Sequence, residues 1–386
     1  MIERVENPGE EYYSPARKFG TLIRKRMEKD PHFYLFSPDE TTSNRLDEVF
    51  SATERAWGLS REEFDLPESE NGRIVEMLSE NALFATMVGH IMNGEQAMMT
   101  SYEAFFSIIL SQIAQQIKFY KQCDEVKWRQ KYPAVNLLST STCWRQDHNG
   151  YTHQSPLVIS SLLSIPSRKV NCLFPVDDVS SEECFDFMIK SENVVNFTTF
   201  DKNEEPRWID SYHAKYLFDN GGVSIYQFCS DDNPDMIFTA AGDIATRETI
   251  LAIRLLKEDM PEMRMRFVGI NSLCYRAIGT TEKRLEKGRF TEYFPAGKPI
   301  FASFHGYKET LGDILSEYTS RERIKCFGFE EQGSTTTPMM MLVLNHASRY
   351  DIAIGVAKKA KRPDLIRKYR GKIEEIRKKA REEGAD

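Results

Sequence analysis

Residues 136–156 read Asn-Leu-Leu-Ser-Thr-Ser-Thr-Cys-Trp-Arg-Gln-Asp-His-Asn-Gly-Tyr-Thr-His-Gln-Ser-Pro. A run of small β-forming residues passes directly into Arg145, Gln146, Asp147, His148, Asn149 and His153, so a strand ends in a loop dense with groups that move protons and hold polar ligands. Parallel α/β sheets carry their ligand sites at such carboxyl ends, and the stretch predicts that fold class. A polar loop that only bonds to itself is the competing reading, and one such loop does not decide between them.

On both sides of this stretch, strand-like segments alternate with segments of helical apolar spacing, the pattern of mostly parallel sheets layered with crossover helices. The spacing predicts a helix over 14–28, a strand over 33–37, a long helix over 102–122 and strands over 134–140, 170–175 and 194–200. The stretch 201–235 is polar, with Asn220-Gly221-Gly222 inside it, and takes the domain boundary. Two domains follow, 1–225 and 226–386, both three-layer α/β/α. In the second, a strand over 236–241, a Gly-Asp turn, a helix over 246–258 and a strand over 265–271 form one βαβ unit, with further strands over 300–304 and 325–328. The tail 364–383 is charged on most faces and reads as a solvated helix with Glu374/Lys378 and Glu375/Lys379 pairs.

A length of 386 residues suits two domains with cores of their own. No apolar run approaches twenty residues and the start, Met-Ile-Glu-Arg-Val-Glu-Asn, has no secretory core, so the expectation is a cytoplasmic protein off the membrane. Seven cysteines occur singly, which suits neither a zinc site nor a disulfide framework. A net charge of −7 gives no reason to expect nucleic acid as a partner.

Three further segments carry polar groups: Phe36-Ser-Pro-Asp-Glu-Thr-Thr-Ser-Asn-Arg-Leu46, Leu78-Ser79-Glu80 at the end of a strand-like run, and Ser101-Tyr-Glu-Ala-Phe105. Each alone has a plain explanation as a helix cap, a surface acid or core aromatics. Together with Trp-Arg-Gln-Asp-His-Asn-Gly, and with Glu331-Gln-Gly-Ser-Thr-Thr-Thr-Pro338 in the second domain, they resemble the phosphoketolase family, thiamine diphosphate enzymes that split ketose phosphates. The resemblance covers almost the whole chain and implies a pyrimidine-binding domain followed by a transketolase C-terminal-like domain.

The resemblance makes Glu80 the carboxylate that shares a proton with N1′ of the cofactor's aminopyrimidine, with Phe105 as the stacking ring and Tyr102 turned to the substrate. It places His148, His153, Gln146 and Asn149 in proton transfer near the substrate, and Ser43, Arg45 and Lys202 at a phosphate. It implies cleavage of a phosphorylated ketose to a cofactor-bound acetyl unit, which passes to phosphate or another acceptor. Transketolase-like transfer to a specialised acceptor and a non-catalytic scaffold are the alternatives.

Family members also carry an amino-terminal domain that holds the diphosphate through Mg²⁺, and this chain resembles the last two domains only. Gly242-Asp243 with Asn271 has the spacing of a thiamine metal motif, but Ile244 stands where a second Gly is needed, so no metal site is assigned to this chain. The expectation is a two-component α₂β₂ enzyme whose second subunit holds most of the diphosphate and Mg²⁺. Three departures bear on the substrate: Gly94-Glu95-Gln96-Ala97 replaces a Gly-Arg-His-Gly run, Ser155 replaces an Asp, and Asp177-Asp178-Val179 replaces Asp-Ala-Asn.

Overall fold

The computed structural model describes residues 5–385 apart from 39, 61 and 64–67. The chain forms two compact units, Met1–Ser141 with Ile165–Ala214, and Thr142–Ser164 with Lys215–Asp386. The sequence reading divides at 225/226. The compact units divide at 214/215 and group the 142–164 loop with the second.

In the first unit, β1 (Tyr34–Ser37), β2 (Ile74–Glu76), β3 (Ala97–Ser101), β4 (Val135–Ser139), β5 (Val170–Leu173) and β6 (Val195–Thr199) pair in parallel in the order β5-β6-β4-β3-β1-β2. Strands β3, β4 and β6 are buried at every position, as strands in a sheet covered on both faces must be. Ala-Met-Met-Thr-Ser has no alternation and a single β-branched residue, Thr100, so its central place as β3 comes from pairing with both neighbours. Asn136, Asn196 and Asn171 lie opposite one another on β4, β6 and β5. Their buried side chains form a ladder, Asn196 Nδ2 donating to Asn136 Oδ1 and Asn171 Nδ2 to Asn196 Oδ1, each at 2.9 Å.

Helix α1 (Pro15–Lys29) starts at Ser14, whose hydroxyl accepts from Arg17 N and donates to Lys202 O at 2.8 Å, tying the helix to the chain beyond β6. Its Phe19 meets Phe185 of α4 (Asp178–Lys190) edge-on at 5.5 Å. Between them in sequence come α2 (Glu80–Met92) and α3 (Leu110–Glu125). The helix expected over 102–122 is split: a 3₁₀ segment, Glu103–Ile109, precedes α3 and seats Phe106 against Phe197 at 5.4 Å. The polar stretch 201–235 is more regular than its composition suggests, because Ala214 and Leu217 bury one face of a helix over Ser211–Asp219.

In the second unit β7 (Val223–Ile225), β8 (Met236–Ala241), β9 (Met265–Ile270), β10 (Ile300–Tyr307) and β11 (Ile324–Phe329) are ordered β7-β9-β8-β10-β11, with only β7 antiparallel. Helix α5 (Asp243–Asp259) begins earlier than expected, because Gly242, at φ 112°, makes the whole strand-to-helix turn. A Cβ there would stand 2.6 Å from His305 Cβ. Helices α6 (Pro338–Leu344), α7 (Arg349–Lys359) and α8 (Pro363–Glu383) follow β11 in the chain.

The tail is not a fully solvated helix. Leu365, Tyr369 and Ile373, spaced by four, form a buried stripe along α8, which packs against α7. Arg377–Glu374 and Lys372–Glu375 pair at i, i+3 along the helix. All seven cysteines are free and buried.

Candidate active site

Glu80 does not end a strand. It is the first residue of α2, because Ser79 caps the helix by accepting from Ala82 N, and a carboxylate there is favoured by the helix dipole. The 3₁₀ segment bearing Phe105 packs against this helix, and Gln112 Nε2 donates to Asn81 O at 3.1 Å. An aminopyrimidine needs a carboxylate for N1′ and an aromatic face, and the donor set of Glu80 with Phe105 fits that half of thiamine diphosphate. The rings of Phe105 and Tyr102 lie parallel, 5.9 Å apart and inclined by 10°.

A second carboxylate stands beside Glu80. Glu40 accepts from Tyr102 N at 3.0 Å, and its pKa is pushed up to about 8, chiefly by burial and further by the charge of Glu80, against the opposing pull of that amide and of Lys202. Glu40 lies within the Phe36–Leu46 motif and carries no expected role, since nothing in a sequence shows that a post-strand Glu is enclosed. Asn44 of the same motif accepts from Thr140 Oγ1 at 2.8 Å and Ser141 Oγ at 3.0 Å, holding the segment against the end of β4. Its neighbour Asp39 lies outside the described residues.

The three residues expected at a phosphate come together in this unit. Tyr102 OH donates to Ser43 Oγ at 3.3 Å. Lys202 Nζ donates to Ser141 Oγ at 3.0 Å and lies 5.4 Å from the Tyr102 ring centre. Burial lowers the Lys202 pKa, and Arg45 adds to the lowering while Asp201 opposes it. Arg45 is held at φ 63°, the left-handed region that a β-carbon disfavours. The Arg45 and Lys202 charges oppose one another within this segment. The departure at Glu95 is locally satisfied: its carboxylate meets His32 Nδ1 at 3.2 Å and His90 Nδ1 at 3.0 Å.

The second unit carries the polar loop. Gln146 is fully buried; its Oε1 accepts from Asn149 Nδ2 at 2.6 Å, and its Nε2 has no partner among the described residues. Gln154 Nε2 donates to Gln146 O at 2.8 Å and to Ser334 O at 3.2 Å, while Thr336 N donates to Asp147 O at 3.0 Å. The loop is thereby clamped to the Glu331–Pro338 segment. His148 is exposed and His153 half-buried with Nδ1 2.8 Å from Thr152 Oγ1. Burial first, and the neighbouring His148 second, lower the His153 pKa and favour the neutral ring. Trp144 Nε1 donates to His305 O at 2.7 Å.

Asn345, which carried no signal in the sequence, shapes the facing segment by accepting from Glu330 N and Gln332 N and donating to Gln332 O and Met341 O. Tyr307 bonds to Glu331, and burial together with that carboxylate pushes the phenol up to about 12; Ser155 also bonds to it. Asp243 is buried with its Oδ1 accepting from Ile244 N at 2.7 Å, so Gly242-Asp243 forms the turn of the βαβ unit.

The family model described as D-xylulose 5-phosphate/D-fructose 6-phosphate phosphoketolase matches residues 17–191, and that of its C-terminal domain matches 202–386. A protein of Rhodopseudomonas palustris (strain HaA2) named as a probable phosphoketolase is 34% identical over 361 residues, 92% of this chain and 46% of the relative. The chain therefore spans about half the length of the curated relatives it matches. A transketolase of Pichia stipitis, solved with sedoheptulose-7-phosphate, superposes with a TM-score of 0.70 at 15% identity, over 96% of this chain and 48% of that one. A structure titled split gene transketolase, inactive beta4 tetramer, gives a TM-score of 0.63 at 14% identity, over 89% of this chain and 97% of that one.

Proposed function

The chain belongs to the phosphoketolase family, and from that membership we propose that it is the pyrimidine-domain (1–225) and C-terminal-domain (226–386) subunit of a two-component, cytoplasmic enzyme. The partner supplies the diphosphate domain and most of the hold on Mg²⁺, in an α₂β₂ assembly. The substrate is a phosphorylated ketose, cleaved to a two-carbon unit that passes to phosphate. The match to nearly the full length of a split gene transketolase chain supports the two-component arrangement.

The reading is carried by one observation: Glu80 at the start of α2, next to the segment bearing Phe105, with the largely protonated Glu40 beside it. Bound thiamine diphosphate supplies the nucleophilic carbon that a ketose carbonyl requires. Glu80 shares its proton with N1′, and Phe105 offers its ring to the pyrimidine. Glu40, carrying its proton at neutral pH, donates to an oxygen that gains negative charge. Ser43, Arg45 and Lys202 hold the sugar's phosphate, with the Tyr102 hydroxyl beside it. The buried Nε2 of Gln146, oriented by Asn149, donates to a substrate hydroxyl. Neutral His153 accepts a proton, and exposed His148 exchanges it with solvent.

The test is to purify the chain with a candidate partner, supply xylulose 5-phosphate and inorganic phosphate, and measure acetyl phosphate. Production that needs both chains and is lost in Glu80→Gln supports the proposal. Two-carbon transfer to an aldose without acetyl phosphate would replace it by the transketolase-like reading, which Glu95, engaged with two histidines where the family has an Arg-His pair, favours. Unchanged activity in Glu80→Gln would leave the scaffold.

A further inference from the structure

In the second unit, Arg145 beside the polar loop, Arg247 on α5 and Arg349 at the start of α7 line one pocket of about 420 Å³. Its walls are completed by side chains including Met339, Leu342 and Ile376, and among the described residues no carboxylate lines it. Met339 and Leu342 belong to the apolar cluster around Trp144, so this wall is backed by packed core.

Two of the guanidiniums bond to one acid. Glu248 is wholly buried. It accepts from Arg349 Nη2 at 2.7 Å and from Nε and the backbone N at 2.9 Å, and from Arg247 Nε at 3.3 Å. Burial alone would raise the Glu248 pKa, but Arg349 and then Arg247 outweigh it, so the carboxylate stays charged. These bonds occupy the Nε and Nη2 side of Arg349, which also lines the pocket. A pocket wall with three forks, two of them held rigid, matches a doubly charged tetrahedral anion, since guanidinium binds phosphate in bidentate fashion and a preorganised fork loses little freedom on binding. The volume falls within the range of small-molecule sites.

We propose that this pocket is an anion site for a small phosphate monoester, its phosphoryl group held by Arg145, Arg247 and Arg349 and its organic body lying against Met339, Leu342 and Ile376. The site is separate in composition from Ser43, Arg45 and Lys202, and its occupancy does not depend on thiamine chemistry.

Phenyl phosphate and inorganic phosphate are titrated calorimetrically into the full chain carrying Lys202→Met, which disables the other anion site. One equivalent of phenyl phosphate is expected to bind, more tightly than inorganic phosphate. Adding Arg247→Gln, or Ile376→Glu at a half-exposed position of α8, is expected to weaken it about tenfold or more. Melting temperatures identify any variant that fails to fold, and Ile376→Glu keeps the test open if Arg247→Gln does. Absence of binding in Lys202→Met, or affinity unchanged by both additional substitutions, overturns the site. Equal affinity for the two ligands overturns the organic body and leaves a plain phosphate site.

Discussion

The carboxyl group of Glu40 accepts the backbone N–H of Tyr102 at 3.0 Å, so an acid from the segment after β1 fixes the entry to the aromatic 3₁₀ turn after β3. The bond favours the charged acid, yet burial and Glu80 prevail and the pKa rises to about 8. Since the folded pKa exceeds the ordinary 4.5, the folded state holds a proton that the unfolded chain releases, and stability falls as pH rises between these values. Against Glu40→Gln, the native chain should lose up to about 1.4 kcal/mol per pH unit across that window, read from urea midpoints at pH 5 to 8. Parallel curves would show that Glu40 titrates normally.

Glu80→Gln separates chemistry from folding. Loss of a first-turn carboxylate should change stability by only about 0.3–1 kcal/mol, while acetyl phosphate formation by the assembled enzyme should drop about 10²-fold or more. Chemical denaturation and steady-state rates on the same preparation check both halves.

The buried pair behaves oppositely to a surface ion pair. Arg349→Met leaves the fully buried Glu248 carboxylate with Arg247 and one backbone N–H and should cost up to about 3–5 kcal/mol, whereas Glu248→Leu combined with Arg349→Met should recover most of the loss. A double mutant no more stable than Arg349→Met would show that the pair's charge is not the source of the cost.

Arg45 exchanges backbone ease for position. Arg45→Gly should relieve a left-handed strain of about 1 kcal/mol, raising the melting temperature or leaving it level despite glycine's entropy, while raising the KM for the phosphorylated sugar. A fall in both melting temperature and KM contradicts this account.

Much of the framework was readable because period and punctuation agreed: the strand over 236–241, the helix starting near Ser14 and the polar loop all rest on local chemistry. β3 was not readable, since its residues are strand only because β1 and β4 pair with them. The stripe on α8 was obscured by the charges around Leu365, Tyr369 and Ile373. The expected site residues rest on the resemblance to family motifs. Glu40 and Asn345 were missed because their importance lies in what encloses or hydrogen-bonds them, which no spacing reveals.

The amide ladder of Asn136, Asn196 and Asn171 makes three distant positions one heritable unit. Trimming any rung strands an amide on its neighbour in the dry interior of the sheet, a penalty of about 1–3 kcal/mol, while an apolar replacement of all three removes the demand altogether. Single changes there are steps into a valley, and the ladder would be expected to persist whole or disappear whole among descendants of this chain.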